Sequence, residues 1–306
     1  MTGATKITWA LLALLGFLWG ASFTGTTVAI EGYGPFTVVA LRVAMAAVVL
    51  TALARIGGHR LPARGTRQWR RVWAVAIGMG LFGNVLPFLL LSWAQAHVAS
   101  GFAGVSMAAV PLITLLLAFV ILKTETLTVI KIVGLLLGAA GVVVLIGPEA
   151  LASKGGNLEN LARLACLGAA LCYALATVLA RLVPNGVDQI AFAATITIAA
   201  TLLIAPLAIA VEGLPTLAPA RPTIALILLG LFGTALAQIV MLAIVREAGP
   251  TFLALVNYMV PIWSVVLGAL LLAEALPPSL IWALGIILVG VALSEASTLK
   301  AIFRRD

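Results

Sequence analysis

The sequence predicts an all-α polytopic membrane protein, with ten transmembrane helices arranged as two inverted five-helix repeats. Three observations support this fold class. Of the 306 residues, 63% are hydrophobic and 9% are charged, whereas charged residues make up about a quarter of a soluble domain. Apolar runs of about 20 residues, enough to cross ~30 Å of hydrocarbon as helix, recur along the chain. The tetrapeptide Gly-Leu-Phe-Gly occurs at 80–83 and again at 230–233.

The apolar runs define the predicted spans in chain order. The first run begins after Lys6 and continues to Ile30, well past the apolar core of a signal peptide, so we interpret it as a mature helix. The connections between spans are mostly short, which leaves no room for a soluble domain. The predicted spans cover residues 7–30, 35–56, 72–93, 99–121, 128–147, 161–182, 188–211, 222–245, 249–273 and 279–297.

The basic residues predict that both termini are cytoplasmic. With the N-terminus inside, fourteen Lys and Arg residues fall on the inner side, and three fall outside at Lys154, Arg163 and Arg221. This bias follows the positive-inside rule. The arginines of the 55–71 connection lie between two spans, so we attribute them to topology and anionic headgroups rather than to nucleic acid. The expected location is the inner (plasma) membrane, with lipid and a small-molecule substrate as partners.

The internal repeat extends beyond the tetrapeptide. Phe102 and Val110-Pro111 recur as Phe252 and Val260-Pro261, again 150 residues later. We predict one repeat over 1–150 and a second over 151–306. Because each would contain five spans, the second begins on the opposite side of the membrane, and the repeats are related by an axis in the membrane plane. Such a bundle holds a central cavity between its repeats and works by alternating access.

The order of several motifs resembles a known family. The motifs are Trp19-Gly20 in the first span, Leu41-Arg42 in the second, Pro111 and Pro261 followed 13 or 14 residues later by Glu125 and Glu274, and glycine-rich final spans. Over essentially the whole chain this pattern is similar to the ten-helix EamA-type members of the drug/metabolite transporter superfamily. The resemblance implies a secondary transporter. Exporters of amino acids, including aromatic ones, are the subgroup it favours.

Polar groups in the middle of spans are the best candidates for a transport path, because an unsatisfied polar group in hydrocarbon costs several kcal/mol. Asn84, Gln238 and Asn257 have no amide at the equivalent repeat position, an asymmetry that an asymmetric substrate requires. Hydrogen bonding between helices is the alternative. Together with aromatic neighbours, the candidate cavity residues are Trp19, Arg42, Asn84, Phe88, Gln238, Asn257 and Tyr258.

Arg42 is the candidate with the highest cost of burial. It lies seven residues into its span, which is ~10 Å deep by helix rise, and it cannot readily lose its charge. Two roles remain open. Arg42 either has a structural role, in which it snorkels or pairs with carbonyl groups, or it is a cavity cation that holds a substrate carboxylate.

Small residues and prolines predict how the helices meet. Glycines spaced by four let neighbouring backbones approach closely. Pro111 and Pro261 each remove a backbone hydrogen bond in mid-span, which predicts a kink or hinge, with packing as the alternative. The glycines predicted for helix packing are Gly16, Gly20, Gly83, Gly134, Gly138 and Gly233.

No catalytic residue, metal or cofactor is predicted. Cys166 and Cys172 stand six positions apart on one helix and cannot pair, and the two histidines do not form a metal cluster. No carboxylate is expected at the midplane, which favours a facilitator or exchanger over a proton-driven pump. The alternatives are a multidrug exporter of aromatic cations and, from other classes, an integral membrane enzyme or an accessory subunit. The oligomeric state is not predicted.

Overall fold

The computed structural model describes residues 5–62, 68–122, 128–146, 158–294 and 296, and all regular structure within them is helical. Seven helices are long and apolar enough to cross a membrane, and three shorter ones are also apolar. Each predicted span overlaps one of them. The helices are α1 (Lys6–Ala29), α2 (Pro35–Ile56), α3 (Trp69–Ala94), α4 (Ser100–Ile121), α5 (Val129–Ile146), α6 (Leu158–Ala180), α7 (Gln189–Glu212), α8 (Ala220–Ala248), α9 (Val256–Leu272) and α10 (Pro278–Ser294).

Local sequence explains several helix ends. α2 begins with Pro35 at its first position, where proline loses no helical hydrogen bond. α7 begins after Asp188, whose Oδ1 accepts a hydrogen bond from the Ala191 backbone N–H at 2.8 Å. α7 and α8 end at Gly213 and Gly249, with φ of 81° and 88°. Those left-handed values favour glycine and stop the helix.

The repeated tetrapeptide has an unusual backbone in both halves of the chain. α3 is π-helical over Leu81–Val85, and α8 is π-helical over Leu229–Leu236. A π-helix adds a residue to the turn, and such segments are frequently found at functional sites. The sequence repeat therefore corresponds to a π-helical segment in each half of the chain.

The two predicted hinge prolines follow interruptions of their helices. In α4 a 3₁₀ turn, Met107–Ala109, leads into the α-helical segment that has Pro111 in its first turn. In the second half a one-turn helix, Pro250–Leu253, is followed by a turn at 254–255, and Pro261 then lies inside α9. A hinge role for either proline remains a prediction. Glu125, which follows the first proline, lies outside the described residues.

Helices pack in pairs along their lengths. α5 lies against α10, α2 against α7, and α1 against α9. A β-carbon built at Gly134 would lie 2.5 Å from the Ser294 backbone nitrogen, and one at Gly16 would lie 2.7 Å from Met259 Cβ. Such close approaches leave no room for a larger residue. The same crowding occurs at Gly20, Gly138 and Gly233.

The outer surface of the bundle is strongly apolar. Val48, Leu136, Leu270 and Trp282 are each at least two-thirds exposed, with Leu270 at 75%. Soluble monomers rarely expose contiguous apolar surface on this scale, whereas lipid tails are a matching solvent. The chain is a polytopic membrane protein.

Candidate substrate cavity

A cavity of about 640 Å³ lies between the helices, within the ~300–1,000 Å³ typical of small-molecule sites. It is lined by residues from α1, α2, α3, α4, α6, α7, α8 and α9. None of its described lining residues comes from α5 or α10. Six of the seven predicted cavity residues line it, namely Trp19, Arg42, Asn84, Phe88, Gln238 and Asn257.

The cavity is open at one end of the bundle. Thr177 and Arg181, at the end of α6, line the cavity and are exposed. At the opposite end the lining residues are buried, with Gln95 5% and Thr26 4% exposed. The open end is the one at which α1 and α3 begin and α6 ends. The described state therefore gives a solute access from one side only.

Polar contacts hold the closed end together. Glu274, just beyond α9, accepts hydrogen bonds from the backbone N–H groups of Ser100 at 2.7 Å and Gly101 at 3.0 Å, at the start of α4. Glu212, the last residue of α7, accepts two such bonds at the start of α2, at 3.0 and 2.8 Å. Each carboxylate accepts hydrogen bonds from N–H groups that have no partner within the helix, and its charge interacts favourably with the positive end of the helix dipole. The arrangement ties α9 to α4 and α7 to α2.

A side-chain hydrogen bond lies beneath these caps. The Thr27 hydroxyl of α1 donates to Gln95 Oε1 at the end of α3, at 2.9 Å. Gln95 is buried, so this contact replaces the water that its amide oxygen would otherwise bind. The Thr27–Gln95 hydrogen bond therefore closes the cavity at that end.

Arg42 projects from α2 into the cavity and is held by two neighbours. Its Nε donates a 2.7 Å hydrogen bond to Thr234 Oγ1, and its guanidinium carbon lies 3.8 Å from the centre of the Phe88 ring. The Thr234 hydroxyl donates to the Leu229 carbonyl at 3.0 Å, which leaves its oxygen free to accept from Arg42. The Thr234 hydroxyl, on the π-helical segment of α8, thus fixes the orientation of the guanidinium.

The three predicted amides differ in their surroundings. Asn257 Nδ2 donates to the Ala254 carbonyl at 3.1 Å, within the turn that precedes α9. Among the residues that the structure describes, Asn84 and Gln238 have no hydrogen-bond partner, although both line the cavity. Their donors and acceptors are therefore available to a solute or to water.

Two predicted residues occupy other positions than expected. Tyr258 packs in an apolar cluster with residues of α4 and α10 and is not among the described lining residues. Successive residues on a helix point about 100° apart, so Asn257 faces the cavity while Tyr258 faces away. Gly83 lines the cavity, and a β-carbon there would make an ordinary 3.4 Å contact with Ala176. Close helix packing does not require glycine at that position.

Many lining residues were not predicted as cavity residues from the sequence. Gln95, Tyr173 and Thr234 are among them. Threonine is common in membrane helices, and the importance of Thr234 depends on its partner 192 positions away. Cys166 and Cys172 are free thiols and are buried. Within the described residues, no group of His, Cys, Asp and Glu could hold a metal ion.

Known proteins resemble this chain, some of them over most of its length. "Uncharacterized inner membrane transporter YedA" of Escherichia coli K12 is 27% identical over 93% of this chain and 89% of its own. "Probable terminal-alkyne amino-acid exporter" of Streptantibioticus cattleyicolor is 30% identical over 46% of this chain and 45% of its own. A solved crystal structure with 24% identity matches 97% of this chain and 98% of its own with a TM-score of 0.62.

These similarities agree with the apolar helices and the cavity described above. The Escherichia coli relative is named as an inner membrane transporter, and together with the apolar helices this makes the chain a multi-pass protein of the inner membrane. The model of the EamA-like transporter family matches it twice, over residues 7–147 and 160–295. Those matches cover most of both halves, and the chain belongs to the EamA-like transporter family.

Proposed function

We propose that this protein is a secondary transporter that exports small amphipathic metabolites of the amino-acid class by alternating access. The observation that carries the proposal is the one-ended cavity. Its walls combine apolar and aromatic side chains with the free amides of Asn84 and Gln238 and the cation of Arg42. An amphipathic solute presents matching groups. A relative that matches 46% of the chain is named as a probable terminal-alkyne amino-acid exporter.

The proposed architecture has ten transmembrane helices with cytoplasmic termini, in two inverted repeats over 1–150 and 151–306. Helix contacts support the repeat. α1 packs on α9 as α6 packs on α4, and α2 packs on α8 as α7 packs on α3. Each pair maps onto the other when helix n is exchanged for helix n+5. With cytoplasmic termini, the open end of the cavity faces the cytoplasm, and the state described is inward-open.

The proposed driving force is the substrate gradient. No acidic residue is found among the described residues that line the cavity, and a proton-coupled carrier needs a titratable group on its path. The same finding disfavours the alternative of an aromatic-cation exporter. A buried cation would meet Arg42 without a compensating carboxylate.

The proposal is tested by counterflow in proteoliposomes. Purified protein should take up labelled L-phenylalanine or another labelled amino acid when the vesicles are preloaded with the unlabelled compound, without an imposed pH gradient. Protein-free vesicles give the background. Absence of counterflow across all proteinogenic amino acids would contradict an amino-acid carrier, and uptake that requires a pH gradient would contradict the facilitator.

A further inference from the structure

The strongest unexplained feature of the cavity is a buried arginine without an acidic partner. Arg42 is 6% exposed. Among the described residues, no carboxylate forms an ion pair with it, and its hydrogen-bond partner Thr234 is neutral. A buried guanidinium cannot lose its proton, and burial of an uncompensated charge is costly. An arginine used only for structure would be expected to have a carboxylate or several carbonyl groups around it.

The geometry of Arg42 leaves the edge of the guanidinium formed by Nη1 and Nη2 free. Thr234 accepts from Nε, and Phe88 covers one face of the plane. The terminal groups, Nη1 and Nη2, donate to no described residue, and the side chain lines the cavity. These two groups form the fork that binds both oxygens of a carboxylate. Because Nε and the ring hold the plane in place, little side-chain entropy is lost on binding.

The rest of the cavity lining fits the body of such a solute. Two arginines, Arg42 and Arg181, line the described cavity, and no aspartate or glutamate does. Much of the remaining lining is aromatic or aliphatic, with Trp19 and Phe88 among its members. A single deep cation matches a single negative charge. A phosphate dianion would need further positive groups beside Arg42.

We infer that the cargo carries a carboxylate that binds in two-pronged fashion to Nη1 and Nη2 of Arg42, with its apolar body against Trp19 and Phe88. This inference rests on the proposed function and narrows it to zwitterions and monoanions with an apolar side. Cations that lack the carboxylate are excluded by charge. The amides of Asn84 and Gln238 are the acceptors available to an ammonium group.

The test is binding of matched compounds to the purified full-length protein, measured by tryptophan fluorescence. Acids are compared with their carboxamides for L-phenylalanine, L-leucine, L-methionine and 3-phenylpropionate. We expect at least one acid to bind at least tenfold more tightly than its amide. Inorganic phosphate and phenethylamine should compete poorly. If every acid fails to bind, or the amides bind as tightly, the inference is wrong.

Arginine variants assign the effect to the residue. Arg42→Gln should abolish the preference for acids over amides, Arg42→Lys should keep part of it, and Thr234→Val should weaken acid binding by a few-fold. Arg246→Gln is the matched control, because that side chain is 75% exposed and is not among the described lining residues. An acid preference that survives in Arg42→Gln would overturn the inference. If Arg42→Gln does not fold, a full acid preference in both Arg42→Lys and Thr234→Val would overturn it.

The outcomes separate this inference from the proposed function. Counterflow of amines or amides without binding of acids would support a transporter and contradict the carboxylate site. Binding of acids that depends on Arg42, without counterflow of any compound, would support the carboxylate site and contradict the proposed transport activity.

Discussion

Gly290→Ala is expected to lower the free energy of unfolding by about 1–3 kcal/mol, the usual cost of overpacking. A β-carbon at this position in α10 would lie 2.5 Å from the Gly138 nitrogen and 2.7 Å from the Gly134 carbonyl oxygen of α5. Both are backbone atoms, so no side-chain rotation can relieve the overlap. The α5–α10 pair would have to separate along its length.

Thermal unfolding of the detergent-purified protein measures this effect. Gly285→Ala is the matched control, because it changes the same residue type on the same helix and a β-carbon there meets nothing within 4 Å. The control also accounts for the helix propensity gained by alanine, about 1 kcal/mol. We expect the melting temperature of Gly290→Ala to fall by several degrees below that of Gly285→Ala. Equal melting temperatures would contradict the close crossing.

Gly104→Ala, at the closed end of the cavity, should destabilise the protein as much as Gly290→Ala does. A β-carbon at Gly104 in α4 would overlap the Cβ and Oγ of Ser264 in α9. Ser264 is fully buried and its hydroxyl donates to the Pro261 carbonyl at 2.8 Å, so it cannot move aside. We expect a loss of about 1–3 kcal/mol, because α4 and α9 must separate where Glu274 ties them together.

A double-mutant cycle isolates this contact. Ser264→Gly removes the atoms that the new methyl group meets, so Gly104→Ala/Ser264→Gly should melt at a higher temperature than Gly104→Ala alone. Gly101→Ala, one turn earlier on α4, is the control, because its nearest neighbours would lie at an ordinary 3.5 Å. Additive effects of the two substitutions would show that the methyl group and Ser264 do not meet.

Much of the helical architecture could be predicted from the sequence, because hydrophobic length sets the limits of a membrane helix. The predicted span 35–56 has the bounds of α2, where Pro35 and Gly57 mark its ends. Two of the polar residues of the cavity were predictable for a similar reason. Asn84 and Gln238 stand out in apolar runs, and a polar group in such a run has few positions that it can occupy at low cost.

Properties that depend on which faces meet could not be predicted. Tyr258 was chosen for its position beside Asn257, yet adjacent helical residues point in different directions. Thr234 stands at the repeat position equivalent to Asn84, 150 residues later. Its bond to Arg42 depends on how α8 packs on α2. The repeated tetrapeptide predicted a duplicated unit, whereas its π-helical backbone depends on hydrogen bonds that residue types alone do not specify.

The central claim is that the two ends of the cavity open in alternation. It is tested with single cysteines in a background in which Cys166 and Cys172 are replaced by alanine. Thr177→Cys reports the open end, and Thr26→Cys reports the closed end, where the native side chain is 4% exposed. Both variants are labelled in nanodiscs with a membrane-impermeant thiol reagent, because the reagent then reaches both faces of the membrane.

Without solute, Thr177→Cys should react quickly and Thr26→Cys slowly. A solute that shows counterflow should raise the labelling rate of Thr26→Cys, because it lets the carrier pass through the state that is open at the other end. A rate for Thr26→Cys that stays at its solute-free value with every transported compound, while Thr177→Cys stays fully reactive, would contradict alternating access through this cavity.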